Sequence, residues 1–289
     1  MPEICPEVRV GARIGSWIVE SEIGQGAAGT VFRVIPVGQG AAAAMKVLTG
    51  VLPMESRRFE KEIAILKQVS HPRLSRFIEA ISEPGVEAIV CELIEGGSLH
   101  NAIHIDINSA AIGCRLLPVR HAYQILMDIL EGLDHLHRQG LLHRDLKPGN
   151  VLLETNGRAR IVDFGLARLV REETLVTEAG QVKATLAYTA PEVLLRQTID
   201  QRADLYALGI ILFEMLTGEL PFPGKAPAKI AMAHIATPPM KPSTLRPELS
   251  RWWDRIVGKL LEKVPEDRYE TARDLIDDLV ALLPDLVPD

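Results

Sequence analysis

LLHRDLKPGNVLL, residues 141–153, sets a carboxylate, an ammonium and an amide between two apolar runs. His143, Arg144, Asp145, Lys147 and Asn150 fall within eight positions, and Pro148-Gly149 punctuates them. Taken alone, this also suits a polar turn joining a helix to a strand. Residues elsewhere in the chain decide between a turn and a site.

Upstream, residues 120–138 place Tyr123, Leu126, Ile129, Leu130, Leu133 and Leu136 on one stripe, the spacing of an amphipathic helix. Downstream come a short strand pair, then IVDFGLA (161–167), a polar segment over 168–183, and a series of helices. LYALGIILFEML (205–216) is too short to cross a bilayer and is interrupted by Gly209 and Glu214, so it predicts a buried core helix.

The first part of the chain has a different period. SWIVESEI (16–23), TVFRVIPV (30–37) and AAAAMKVL (41–48) predict short strands separated by glycine-bearing turns. Residues 54–70 place Phe59, Ile63 and Leu66 at helical spacing, and His71-Pro72 is expected to end that helix. FIEAISEPGVEAIVCEL (77–93) predicts a hairpin turning at Pro84-Gly85. Residues 104–119 have weak periodicity and are expected to form a loop. Five strands and one helix followed by a mostly helical remainder give an α+β, two-lobed layout.

Composition narrows the class. The 289 residues are 47% hydrophobic and 24% charged, a folded rather than a disordered profile. A net charge of −6 lacks the basic footprint of a nucleic-acid binder. The three cysteines have no CxxC spacing, which argues against a disulfide framework or a zinc site and fits a reducing compartment. The start reads as no secretory signal, and cytoplasmic placement is expected. His100 with His104, and His135 with His137, are close in sequence but lack the further ligands that zinc requires.

Four further features carry chemistry. GQGAAGTV (24–31) matches G-x-G-x-x-G-x-V, and a β-branched strand follows where a dinucleotide fingerprint needs a helix. Lys46 lies in an apolar strand, where its ammonium must snorkel or find an anion; Glu62 on the following helix is the natural partner. Asp163 sits between apolar residues and a sharp turn, and with the amide oxygen of Asn150 it suits Mg²⁺. APE closes the set at 190–192.

In this order the motifs G-x-G-x-x-G-x-V, strand lysine, helix glutamate, H-R-D-L-K-P-x-N, D-F-G and A-P-E resemble the eukaryotic-type protein kinase family, over about 16–283. The resemblance implies a bilobal fold: an extension over 1–15, a nucleotide-binding N-lobe over 16–94 and a C-lobe over 95–289. It implies ATP, Mg²⁺ with Mn²⁺ as an alternative, protein substrates, and transient self-association for autophosphorylation. Ile23, Gly24, Gln25, Gly26, Ala27, Ala28 and Gly29 would cover the phosphates. Lys46, paired with Glu62, would hold them. Val31, Ala44 and Leu152 would sandwich the adenine, Cys91 would be the gatekeeper, and Glu92 and Ile94 would offer hinge backbone groups. Asp145 would accept the substrate proton, Lys147 would stabilise transferred charge, and Asn150 and Asp163 would hold metal.

Lys147 and Thr185 resemble the serine/threonine branch, and the compact domain is similar to bacterial members. Arg144 implies activation by phosphorylation at Thr177 or Thr174. The Glu192–Arg268 pair, Asp204 and the column Leu66, Phe77, His143 and Phe164 are implied to be structural. Departures are Ala27-Ala28 at the loop tip, Leu93 in the hinge, Ala184 before Thr185, and Gly149 and Ser98 where arginine-directed members carry glutamates. A pseudokinase would be expected to lose Lys46, Asp145 or Asp163, and none is missing. A small-molecule phosphotransferase would lack A-P-E and Thr185.

Overall fold

The computed structural model describes residues 8–26, 29–48, 63–64, 66–104, 116–164, 186–224 and 226–287. They divide into two compact units, one reaching Glu95 and one comprising Gly96–Phe164 and the residues from 186 onward.

The first unit is an antiparallel sheet of β1 (Arg13–Ile14), β2 (Trp17–Gly26), β3 (Gly29–Pro36), β4 (Ala43–Leu48), β5 (Phe77–Glu83) and β6 (Val86–Glu92), in the order β1-β2-β3-β4-β6-β5. Alternation sorts its faces. Phe32, Val34, Ala43, Met45, Val47, Ala88 and Val90 point to one side and form a core with Trp17, Val19, Ile81 and Val86. The β5–β6 hairpin turns at Pro84-Gly85 as expected, with Gly85 at φ 80°.

Two expectations needed adjusting here. The sheet has six strands, because the short β1 folds back on β2 through the Gly15–Ser16 turn. Most of the 54–70 helix lies outside the described residues. Its end is visible: Lys67 N–H donates to Ile63 O at 3.0 Å, Val69 to Leu66 at 3.3 Å, and helix stops at Leu66, ahead of His71-Pro72. Val69 and Leu74 are buried just beyond, so packing draws the chain out of the helix before the proline does.

The second unit holds a sheet of β7 (Gly96–Ser98), β8 (Val151–Glu154) and β9 (Ala159–Ile161), with helices α1 (Leu99–Ile103), α2 (Val119–Arg138), α3 (Pro191–Leu194), α4 (Arg202–Thr217), α5 (Pro227–Ala236), α6 (Pro242–Leu245), α7 (Arg251–Leu260), α8 (Ala272–Ala281) and α9 (Leu283–Leu286). The expected stripe of α2 is buried from Leu126 to Leu136. α4 is buried on all sides, the mark of a central core helix, and stops at Gly218, whose φ of 76° suits a left-handed cap. Gly209 lets α4 approach α7 closely: a Cβ there would lie 2.7 Å from Leu260 Cβ. Trp253 of α7 is buried and donates its indole N–H to Leu286 O at 3.1 Å, fixing α9.

Candidate active site

The quoted loop is built on α4. Asp204, 3% exposed in the first turn of that helix, accepts His143 N–H at 2.8 Å, Arg144 N–H at 2.9 Å and His137 Nε2 at 2.8 Å. Burial pushes the Asp204 carboxyl upward; the hydrogen bond and charge of His137 and the backbone donors outweigh it and hold the group below the usual carboxylate range. With its main chain so pinned, Arg144 takes φ 66°, a conformation that needs surrounding support.

His143 is buried and packed, as the sequence implied. Its Nε2 donates to Val162 O at 3.1 Å and its Nδ1 accepts Asp145 N–H at 3.3 Å, the pattern of a neutral ring. Burial pushes its pKa down, against the upward pull of Asp204 and Asp145. It holds the loop against the strand end rather than acting as a base.

Asp145, Lys147 and Asn150 are brought together. Lys147 Nζ donates to Asp145 Oδ2 at 2.7 Å, and Asn150 Nδ2 donates to the Asp145 carbonyl at 2.7 Å and to Oδ2 at 3.1 Å. Both side chains reach the same carboxylate oxygen; neither reaches Oδ1. A short 3₁₀ turn, Pro148–Asn150, makes the reach possible, and Val162 N–H closes onto Asn150 O at 3.0 Å. Asp163 follows at once with φ 61°. Asn150 uses its nitrogen on Asp145, so its oxygen is the end suited to a cation. One carboxylate and one amide oxygen fall short of the six oxygens that Mg²⁺ takes. This donor set therefore fits a metal that arrives with phosphate oxygens rather than one caged by protein.

In the first unit, register puts Val31 opposite Lys46 and Ala44 opposite Cys91, on the sheet face away from the core. Glu92 pairs with Ala43, but its N–H is committed to Arg76 O at 2.8 Å, which narrows a hinge-donor role to Ile94. Gly24 meets nothing within 4 Å, whereas a Cβ on Gly29 would lie 1.9 Å from Val47 O, so Gly29 is required by the fold itself. Gly26 pairs with Gly29, Gln25 with Thr30, and Ile23 is exposed. Leu152 belongs to the second unit, paired with Ser98 and Arg160. Ala27, Ala28, Glu62, Thr174, Thr177 and Thr185 lie outside the described residues.

Several functional side chains carried little signal in sequence. Asp128, wholly buried in α2, accepts Arg158 at 2.7 Å and Ala159 N–H at 2.8 Å, tying down the β8–β9 hairpin. Glu214 of α4 is 2% exposed and accepts Tyr188 OH at 2.7 Å and His104 Nε2 at 2.8 Å. Its interruption of an apolar run was the available clue. His104 and His137 thus serve carboxylates, and among the described residues no group of three or more His, Cys, Asp or Glu could hold a metal. The Glu192–Arg268 pair is buried and bidentate at 2.7 and 2.8 Å. Ser98 caps α1 by accepting Asn101 N–H at 3.2 Å.

An α+β fold with a carboxylate–lysine–amide loop held on a buried helix is that of a phosphotransferase of the protein kinase type. Residues 17–280 match the protein kinase domain model, and the chain belongs to that family. Its relatives include proteins named serine/threonine-protein kinases. It is 34% identical to serine/threonine-protein kinase PknB of Mycobacterium leprae, over 82% of this chain and 38% of that protein. It is 33% identical to serine/threonine-protein kinase Pkn1 of Myxococcus xanthus, over 90% of this chain and 37% of that one. The chain thus spans under two fifths of the length of these relatives. The crystal structure of the Mycobacterium tuberculosis PknI kinase domain superposes with a TM-score of 0.74 at 26% identity, covering 96% of this chain and 99% of that one. No helix among the described residues is long and apolar enough to cross a membrane.

Proposed function

We propose that this chain transfers the γ-phosphoryl group of ATP to serine and threonine hydroxyls of proteins. The observation that carries this reading is the convergence of Lys147 and Asn150 on one oxygen of Asp145, with the loop main chain fixed by Asp204.

Phosphoryl transfer asks for positioning and charge stabilisation more than covalent chemistry. Asp145 orients the acceptor hydroxyl and takes its proton. Lys147, already at Oδ2, spreads the charge that develops on the transferred group. Lys46, with Glu62, holds the α- and β-phosphates beneath the hairpin of Gly24, Gly26 and Gly29. Val31, Ala44 and Leu152 pack on the adenine, Cys91 lies behind it, and Glu92 and Ile94 present backbone groups to its edge. Asn150 and Asp163 would hold Mg²⁺, or Mn²⁺ in its place, and the bound ion would screen the phosphate charge. Thr185 belongs to the platform for the peptide, residues 16–94 to the nucleotide and 95–289 to catalysis. Cytoplasmic placement accompanies this reading.

Labelled ATP with a generic protein substrate, followed by phosphosite mapping, tests it. Lys46→Met and Asp163→Asn are each expected to abolish transfer with the protein still folded; near-parent turnover in either overturns the assignment. Arginine dominating a peptide-library profile two or three residues before the acceptor would contradict the reading of Gly149 and Ser98.

Activation is proposed to follow autophosphorylation at Thr177, with Thr174 second, in transient self-association. A phosphate there would give Arg144 a charge-assisted partner. Peptide mapping beside Asp145→Asn should locate the sites, and parent-like activity of a Thr174→Ala/Thr177→Ala variant would reject them.

A further inference from the structure

Glu214 has no part in the chemistry above, yet it is a carboxylate 2% exposed in the apolar run of α4. One of its oxygens, Oε2, accepts Tyr188 OH at 2.7 Å, and the other, Oε1, lies 2.8 Å from His104 Nε2. A carboxylate only accepts, so that ring nitrogen carries the proton and donates. Each oxygen thus has a donor from a different element. Tyr188 comes from the segment between Thr185 and α3, and His104 from the end of α1.

The two donors differ in how they meet solvent. Burial, then the Glu214 charge, pushes the Tyr188 hydroxyl upward, so it stays a donor. His104 has a side chain 40% exposed, although its Nε2 reaches a carboxylate that is almost wholly buried. The imidazole therefore lies between solvent and Oε1. A buried carboxylate oxygen without a partner is costly and draws a cationic donor; with the ring in place, that position is taken.

The placement of the ring is built into α1. Ser98 caps that helix, Leu99 and Ile103 bury one side of it, and His104 N–H donates to His100 O at 2.9 Å, closing the last turn. The His100 ring packs on that of His104, with centroids 4.6 Å apart and planes tilted by 52°. α1 also packs against the 3₁₀ turn Pro148–Asn150 of the catalytic loop. Through His104 the same short helix reaches the carboxylate that holds Tyr188, three residues after Thr185. The filled carboxylate is thus tied to both the catalytic loop and the proposed peptide platform.

We infer that His104 is a specificity-determining residue: by occupying Glu214 it withholds that carboxylate from lysine and arginine side chains of the protein substrate. This rests on the protein-kinase reading above. It is independent of Gly149 and Ser98, which mark carboxylates that the chain lacks; here the carboxylate is present and the chain itself fills it.

The test scans arginine through each position of an acceptor peptide and compares kcat/KM with that of the alanine version. It uses the full chain as parent, His104→Ala, His104→Gln and the double variant His104→Ala/Glu214→Gln. His104→Ala should raise the arginine-to-alanine ratio at one position roughly tenfold over the parent, the scale of one charge-assisted hydrogen bond. Its ATP KM should stay within about twofold, a change too small to count as a lost contact. His104→Gln, whose amide can still donate to Oε1, should keep the parent ratios, and the double variant should lose the gain. Unchanged ratios at every position in folded His104→Ala overturn the inference and mark the contact as a structural tie. A gain that persists in the double variant overturns it too, because Glu214 is then not its source. If His104→Ala does not fold, ring-nitrogen NMR of the parent decides. A His104 signal unmoved by saturating arginine peptides supports the inference, and a shift specific to them overturns it. A parent that phosphorylates no peptide sinks the protein-kinase reading; one that phosphorylates peptides with ratios indifferent to His104→Ala sinks this inference alone.

Discussion

The two ends of α4 carry the same kind of group in the same degree of burial and use it differently. Asp204, at the N-terminal end, accepts two backbone N–H groups and a histidine. Glu214, near the C-terminal end, accepts only side chains, the Tyr188 hydroxyl and the His104 ring. The first arrangement fixes a main chain and lets it adopt φ 66° at Arg144. The second fixes side-chain tips and leaves the main chain of 186–190 to other restraints. A carboxylate in a core helix is thus a clamp whose grip depends on what it holds.

Removing the clamp on the main chain should cost most. Asp204→Asn turns one acceptor into a donor aimed at buried donors, and is expected to lose about 3 kcal/mol of stability. Phosphoryl transfer should fall by about 100-fold or more, because a displaced Asp145 is misplaced for the acceptor. Denaturant unfolding and the labelled-ATP assay read both. Glu214→Gln keeps an acceptor for Tyr188 and can offer its amide to His104, so it should cost about 1.5 kcal/mol with activity within a few-fold. Equal losses for the two variants would break the contrast between main-chain and side-chain anchoring.

Acid should separate the two kinds of group by pH. His143 and His234 have pKa values lowered from 6.5, so the unfolded chain binds more protons than the folded one as pH falls below 6.5. Stability is therefore full above that value and declines toward pH 4, where His234 itself titrates. His234 alone should contribute about 1 kcal/mol of loss between pH 6.5 and 5.5. Asp204 has a carboxyl lowered from 3.8, so its contribution is present above that value and is lost only at more acid pH. Chemical unfolding at stepped pH should show the histidine decline first, and His234→Gln should remove its share. A flat profile from pH 6.5 to 5 would contradict the buried neutral histidines.

Local order was legible because periodicity reports it directly. The strand period over 16–48, the Pro84-Gly85 turn, the α2 stripe and the apolar run of α4 all read correctly. Pairings over long separations were legible only where the family resemblance supplied them, as for Glu192–Arg268. Nothing near Asp128 in sequence announces Arg158, and β7 is too short to carry a period before it pairs with β8. The glycines show the same limit: the motif treats Gly24 and Gly29 alike, but only Gly29 is needed against the Val47 carbonyl. In the site, Asp145, Lys147 and Asn150 were visible as a cluster. The single oxygen on which they converge depends on the 3₁₀ turn, which the letters do not specify.

Gly209 makes one position control a long stretch of the chain. Alanine there would favour the helix by about 1 kcal/mol in isolation. Its Cβ would instead meet Leu260 Cβ at 2.7 Å and Leu261 Cδ2 at 2.9 Å. A Cβ cannot swing aside like a side-chain tip, so α7 would have to shift as a body, taking Trp253 and the Leu286 carbonyl it holds with it. Mutational tolerance along α4 is therefore uneven in reach: a change at 209 is transmitted to the end of the described chain, through one missing side chain.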